Sequence, residues 1–364
     1  MTEELYEVEG STRLLMAIQD HKPNRTDGPS DAGSRPSLLV LASDVLFDHF
    51  FSEAAQGRLS SVCNWSRYGG REDSSELRDR IAAADALMTT WHSPFLRTEM
   101  FGANPRVRLI AHCGGEVKSR AEQQLIERIM VTNAAEPMAQ PVAEMALSLI
   151  LTLVRRIPEY AAEMRAGIVR TNDIASEGET ICGRNVGLIG FGRIGQAFSD
   201  LIRPFGSRLF VADPYRPSET VRAHGGRPVL LDELLRSCSV VVLAAGLTPE
   251  TRNLLDKKRL ALMADGSYLI NVARGGLIDT EALLAELRTG RLTAALDVTD
   301  PLEPLPVDHE LRRLPNVLLT PHIAAGGIEM RRAIGDIAVE EVCRFFRGEQ
   351  PQNVVTREML ATMT

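Results

Sequence analysis

Residues 185–202 read NVGLIGFGRIGQAFSDLI. The run Asn185 to Gly190 is short and apolar, as in a strand buried on both faces. Gly190, Gly192 and Gly195 follow at the spacing G-x-G-x-x-G, and QAFSDLIRPFG after them reads as a helix. In such a strand–turn–helix unit the first glycine permits the tight turn and the second lets the backbone approach a pyrophosphate. The third lets helix and strand pack closely. Arg193 and Ile194 open the helix, whose unpaired N–H groups and positive dipole end attract phosphate. The next strand, RLFVAD (Arg208 to Asp213), ends on an acid eighteen residues beyond Gly195. A carboxylate there accepts hydrogen bonds from both ribose hydroxyls and repels a 2′-phosphate, which favours NAD over NADP. Arg216, close by, keeps the NADP reading open. A glycine turn that merely packs helix on sheet leaves Asp213 unexplained.

Outward from this unit, the pattern of buried strands continues with SVVVLAAG (239–246), GSYLINVA (266–273), TAALDV (293–298) and NVLLTP (316–321). Helical stretches such as TEALLAELRTG, stopped by Gly290, fill the gaps, so six strands with crossover helices make a doubly wound unit. Upstream, LLVLAS (38–43), ALMTT (86–90) and VRLIAH (107–112) read as strands of a second parallel sheet, with SSELRDRIAAA as a serine-capped helix between them. A helix-like stretch from about Val142 to Gly167 connects the two, and Pro158 is expected to end or kink it. The tail EMRRAIGDIAVEEVCRFFRGEQ is an amphipathic helix inferred to return to the first unit. The expected division is a flexible arm over 1–37, a discontinuous substrate domain over 38–141 and 326–364, and an NAD domain over 142–325. The arm follows from the Pro-, Gly- and Ser-rich composition of residues 20–37, too polar to offset ordering entropy.

The bulk properties exclude several classes. The 364 residues are 44% hydrophobic and 24% charged, as in a globular protein of two ordinary domains. The net charge of −7 and the scattered basic residues give no stripe for nucleic acid. No apolar run approaches the roughly 20 residues of a membrane span, and the acidic start MTEELYEVEG is unlike a secretory signal. A cytoplasmic protein is expected. Cys63, Cys113, Cys182, Cys238 and Cys343 are far apart and odd in number, which argues against disulfides and structural zinc and for buried reduced thiols. No metal is expected.

From about Leu109 to Ala325 the chain resembles the D-isomer-specific 2-hydroxyacid dehydrogenase family, which includes phosphoglycerate dehydrogenase and glyoxylate/hydroxypyruvate reductases. PVAEMALSLIL, VGLIGFGRIGQAF, LTPETRNLL, INVARGGLIDTEAL, AALDVTDPLEPLP and NVLLTPHIA carry the resemblance, in family order. It implies two similar α/β domains, a Rossmann NAD domain and a flavodoxin-like substrate domain, with the active site in the cleft between them. Arg274 resembles the family's substrate-binding arginine, Glu303 its catalytic glutamate and His322 its acid/base. Here DVTDPLEPLP carries Leu302 as an extra residue, so Asp300 competes with Glu303 as partner of the histidine. The resemblance also implies that Val272 and Ala273 border the nicotinamide ribose, and that Asp297 contacts the nicotinamide amide. Ala324 and Ala325 would line the same pocket, and CGGEVK, with Gly114, Gly115 and Glu116, the loop that holds the substrate carboxylate. A dimer through the long apolar helix from Val142 is implied in the same way.

The chemistry asks for these residue types independently. Oxidising a 2-hydroxy acid requires a base for the hydroxyl proton, and histidine titrates near the operating pH. A carboxylate on its other nitrogen fixes the tautomer, and an arginine fork matches a substrate carboxylate. The three follow strands at the carboxyl edge, where ligands of such sheets bind. Trp91, His92 and Phe95 shape the pocket or simply pack a loop, and His112 and His309 earn no role. A 2-hydroxy or 2-keto acid substrate is expected; the competing reading is a non-catalytic NAD-binding regulator of the co-repressor type.

Overall fold

The computed structural model describes residues 35–103, 105–168 and 178–363. Most of the arm expected over 1–37, residues 1–34, lies outside the described residues. Two sheets organise the rest. The first contains β1 (Ser37–Leu41), β2 (Asn64–Tyr68), β3 (Ala86–Thr89), β4 (Leu109–His112) and β5 (Met130–Asn133), in the order β2-β1-β3-β4-β5. The second contains β6 (Asn185–Ile189), β7 (Arg208–Ala212), β8 (Arg227–Pro228), β9 (Val240–Leu243), β10 (Ser267–Asn271), β11 (Leu292–Leu296) and β12 (Val317–Leu319). Its order is β12-β11-β10-β9-β6-β7-β8. Every pairing in both sheets is parallel. The doubly wound α/β class is therefore as read from the sequence, with β2, β5 and the two-residue β8 added.

The apolar runs overshoot the strands at their carboxyl ends. β9 stops at Leu243 and β10 at Asn271, although LAAG and INVA look continuous with them. Val272 and Ala273 are loop residues only 5% and 7% exposed, so burial without sheet pairing gives them strand-like composition.

The connecting helix also departs from expectation. It runs Ala139–Val154, breaks at Arg155–Arg156, and resumes as Ile157–Arg165. Arg156 takes a left-handed φ of 52°, and Pro158 sits in the first turn of the second piece. The break falls before the proline because Pro158 has no N–H to give the Val154 carbonyl and its ring would clash there, whereas a first turn tolerates it. The run Glu136–Val154 is long and apolar enough to pass as a membrane span on length and composition, a feature the sequence reading did not register. In the fold, Val142, Ala143, Ala146, Leu149, Ile150, Leu153 and Val154 are buried in the core beneath β6.

The helix Ile328–Phe346 packs its buried face against β4 and the helices Asp44–Phe50 and Glu53–Val62, inside the core of the first sheet. Gly335 makes this docking close, since a Cβ there would collide with the Phe50 carbonyl. The chain then adds an antiparallel bridge, Thr132–Val354, at the free edge of β5. Four cysteines are buried, but Cys182 is exposed, contrary to expectation, because it lies in the turn leading into β6 rather than on a strand or packed helix.

Candidate active site

The glycine turn leaves β6 where the order of the second sheet reverses, between β9 and β7. Gly190 has φ 93°, and a Cβ there would stand 2.6 Å from Ala245 Cα. A Cβ on Gly195 would meet the Gly190 carbonyl oxygen at 2.5 Å. Around Gly192 nothing lies within 4 Å of that position, so the turn is open on the side where the helix Arg193–Ile202 begins. Two glycines thus serve close packing and one keeps a free approach to the helix N–H groups, as a pyrophosphate cradle requires. Asp213 lies beyond the end of β7; its Oδ2 accepts from the Phe191 N–H at 2.6 Å and its Oδ1 from the Tyr215 N–H at 2.8 Å. The carboxylate is thereby fixed beside the turn at the place a ribose would occupy. These residues fit a bound dinucleotide.

Arg274, Glu303 and His322 follow β10, β11 and β12 at the carboxyl edge of the sheet. His322 Nδ1 is 2.8 Å from Glu303 Oε1, and both side chains are partly open to solvent. The carboxylate lies against the Nδ1 side of the ring, which leaves Nε2 as the ring atom available to a ligand. Asp300 turns away, with its Oδ2 3.6 Å from an Arg252 nitrogen. The extra Leu302 is accommodated by a hydrogen bond from Thr299 Oγ1 to its carbonyl at 2.7 Å, and its side chain is exposed.

His322 holds a left-handed backbone, φ 52°. Such strain in a non-glycine residue persists only where the surroundings impose it. Here Asp297 imposes it. Its carbonyl accepts from the His322 N–H at 2.9 Å. Its carboxylate, in a residue 1% exposed, accepts from Thr320 Oγ1 (2.6 Å), the Ile323 N–H (2.9 Å) and the Ala324 N–H (2.8 Å). Within the protein, this side chain is engaged by the histidine's own loop. Ala324 is buried, and Ala325 packs against both cores.

Asn271 was missed in the sequence. Fully buried, it accepts from the Ala273 N–H at 3.0 Å and donates to the Arg274 carbonyl at 2.9 Å, so it shapes the turn that presents Arg274. An asparagine ending an apolar strand is a legible signal, because a buried amide must find partners. Gly275 lets the turn lie against the Thr299–Asp300 backbone, where a Cβ would collide. Burial draws the Arg274 guanidinium below the usual arginine range, while Glu116 and Glu303 oppose that shift. Arg274 therefore faces carboxylates from both units of the molecule.

Gly114, Gly115 and Glu116 lie just beyond β4. A Cβ on Gly114 would stand 2.5 Å from His112 Nε2 and 2.9 Å from Trp91 Nε1. Glu116 accepts from the Ser119 N–H through both oxygens, at 3.0 and 3.1 Å. The Gly115 carbonyl accepts from Asn133 Nδ2 at 2.8 Å.

A doubly wound nucleotide-binding sheet, facing a second parallel sheet across a site built from an arginine and a His–Glu pair, defines the class as a nicotinamide-dependent oxidoreductase. The comparisons with known proteins agree. Residues 147–324 match the family described as D-isomer specific 2-hydroxyacid dehydrogenase, NAD binding domain. Glyoxylate reductase of Thermococcus onnurineus is 34% identical over 292 residues, covering 78% of this chain and 86% of the relative. D-3-phosphoglycerate dehydrogenase of Methanocaldococcus jannaschii is 34% identical over 283 residues, covering 77% of this chain and 53% of that longer protein. The crystal structure of a 2-hydroxyacid dehydrogenase from Ketogulonicigenium vulgare superposes with a TM-score of 0.76 at 25% identity, covering 89% of this chain and 99% of that one. The chain belongs to the D-isomer specific 2-hydroxyacid dehydrogenase family and is an NAD-dependent enzyme.

Proposed function

We propose that this chain reduces a 2-keto acid to the D-2-hydroxy acid, and runs the reverse oxidation, with His322 as acid/base. The observation that carries this reading is the 2.8 Å contact between His322 Nδ1 and Glu303 Oε1 beside the half-buried Arg274. Gly190, Gly192, Gly195 and Asp213 hold the cofactor, with Arg193 and Ile194 at the phosphate and Val272, Ala273 and Ala325 along the nicotinamide half. Bound NADH supplies the hydride for the substrate carbonyl carbon. Arg274 places its fork on the substrate carboxylate and carbonyl oxygen, where charge develops as hydride arrives. His322 donates its Nε2 proton to that oxygen, and Glu303 stabilises the imidazolium and holds the ring's orientation. The N–H groups of Gly114 to Glu116 take the substrate carboxylate from the opposite side, which assigns residues 38–141 and 326–364 to a substrate domain and 142–325 to an NAD domain. We further assign a homodimer contact to the apolar segment 139–168, where Ile157, Met164 and Ile168 are exposed, in a protein working in the cytoplasm.

The test is NADH oxidation with glyoxylate, hydroxypyruvate, pyruvate and 3-phosphohydroxypyruvate. Turnover of at least one is expected, and His322→Ala should cut kcat about 10³-fold while NADH still binds. Tight NADH binding with no turnover of any acid overturns the reading in favour of a regulator.

A further inference from the structure

Beyond Gly114 to Glu116, the carboxyl edge of the first sheet carries a group of cations that the reaction just proposed does not use. Arg71 follows β2, Trp91 and His92 follow β3, and the Gly114–Glu116 loop follows β4, while β3 and β4 are adjacent with Thr89 level with His112. These loops therefore share one edge, the edge where ligands of such sheets bind. Arg71 Nη2 lies 3.3 Å from His92 Nδ1, and Arg120 Nη1 donates to the Trp91 carbonyl at 2.6 Å. The Arg331 guanidinium stands 5.5 Å from the Trp91 ring centroid and donates from Nη1 to His49 Nδ1 at 2.7 Å. The same Trp91 indole borders Gly114. Three guanidinium groups thus converge on one loop beside the substrate-carboxylate turn.

None of their hydrogen-bond partners is a carboxylate. Among the described residues, many of the molecule's arginines stand within 4.0 Å of a carboxylate, but Arg71, Arg120 and Arg331 do not. Glu116 is the carboxylate whose field reaches Arg120, and it reaches Arg274 as well. Both nitrogens that meet Arg71 and Arg331 belong to histidines, and His92 is held below the usual histidine range by burial and by Arg71, Arg120 and Arg331 together. Arg331 also buries its Nε with no hydrogen-bond partner. In a chain of net charge −7, three cations gathered at one place without a carboxylate in contact need a reason. A ligand anion supplies one, because it desolvates against donors already in position.

We propose that Arg71, Arg120 and Arg331 form a subsite for a second anionic group on the substrate, so that this enzyme prefers 2-keto acids whose side chain ends in a phosphate or carboxylate. The proposal rests on the 2-keto acid reading above and names its substrate class. The keto acid's own carboxylate lies on Arg274 and the Gly114–Glu116 loop, and the side chain extends along the sheet edge towards His92. Arg71, which is exposed, meets the end of the side chain; Arg331, stacked on Trp91, backs it.

The experiment measures kcat/KM of the full chain with NADH for hydroxypyruvate and 2-oxobutyrate, which are uncharged beyond C2, against 3-phosphohydroxypyruvate and 2-oxoglutarate. At least one acid of the second pair is expected to exceed its counterpart in the first by about tenfold, and which one does so separates a phosphate from a carboxylate subsite. Arg71→Gln, on the surface, and Arg331→Met should each shrink that ratio roughly fivefold, and Arg331→Lys should restore part of it. High ionic strength should shrink it in the parent protein too. Turnover of all four acids with no preference for either acid that carries a second anionic group overturns the subsite and leaves the keto-acid reading intact, as does a ratio that both charge-removing variants leave unchanged. No turnover with any acid overturns both.

Discussion

Glu303 and Asp300 lie on the same proline-rich loop, and geometry separates them. Glu303 reaches the imidazole of His322 at 2.8 Å, whereas Asp300 is drawn towards Arg252. Glu303→Gln keeps the shape but removes the negative charge beside the His322 ring, and kcat should fall about 10²-fold. Asp300→Asn should stay within about threefold of the parent, since it loses one half-exposed ion pair. Steady-state NADH oxidation checks both, and a larger loss at Asp300 would reverse the assignment. His112 invites a different measurement. It is 2% exposed, its Nδ1 lies 2.9 Å from Thr89 Oγ1, and burial, with help from Arg120, pulls it down from 6.5 to about 3. The folded protein keeps this ring neutral, while the unfolded chain takes up a proton as pH drops below 6.5. Its contribution is thus fully present above pH 6.5 and is lost as pH falls towards 3, with a slope approaching about 1.4 kcal/mol per unit. Between pH 7 and 5 the parent should lose roughly 2 kcal/mol more than His112→Gln in urea unfolding, and equal losses would contradict the buried neutral ring.

At the scale of elements, the decisive part is the turn from Thr320 to Ala324, which has no regular structure and is shaped by Asp297 from the end of β11. Two backbone N–H groups and one hydroxyl converge on this carboxylate. Asp297→Asn replaces one acceptor oxygen with a donor and sets it against at least one of them. We expect kcat to fall about 10- to 100-fold through misplacement of His322, with NADH affinity changed by about threefold or less. The opposite outcome, weakened NADH binding at full kcat, would mean that Asp297 serves the nicotinamide. This arrangement marks the limit of what the sequence made legible. The glycine turn, Asp213 and the strand-end positions of Arg274, Glu303 and His322 follow from local pattern, because each rests on a strand whose apolar run is unmistakable. Which acid meets His322 depends on how a loop absorbs Leu302, and no periodicity reports that. β2 escaped because NWSRY pairs only with β1 and keeps a polar, largely exposed composition. β8 is two residues long, too short for a run to emerge, and β5 is an edge strand with only Met130 and Val131 before the polar Thr132 and Asn133.

At the scale of the whole molecule, the chain passes between its two sheets twice, through the helix Ala139–Val154 and again after Ala324, before the helix Ile328–Phe346 closes on the first core. That last helix has duties at both ends. Arg331 in its first turn stands over Trp91, and Glu341 near its other end secures the tail. Glu341 is 2% exposed, yet its carboxylate accepts from the Gln352 N–H (2.8 Å), the Asn353 N–H (3.0 Å) and Asn353 Nδ2 (3.1 Å). A buried carboxylate is tolerable only when so satisfied. The tail it holds then lies along β5, with the Asn133 N–H donating to the Asn353 carbonyl at 3.1 Å and the Val355 N–H to Val131 at 2.8 Å. Glu341→Ala leaves these donors without their acceptor and frees the edge of β5, so it should cost about 3 kcal/mol in urea unfolding. Proteolysis should begin within residues 350–363 before the rest of the fold opens. The loss reaches the first core because the same helix fills it, and a variant that keeps both its stability and a protected tail would show that the β5 edge, rather than Glu341, anchors the end of the chain.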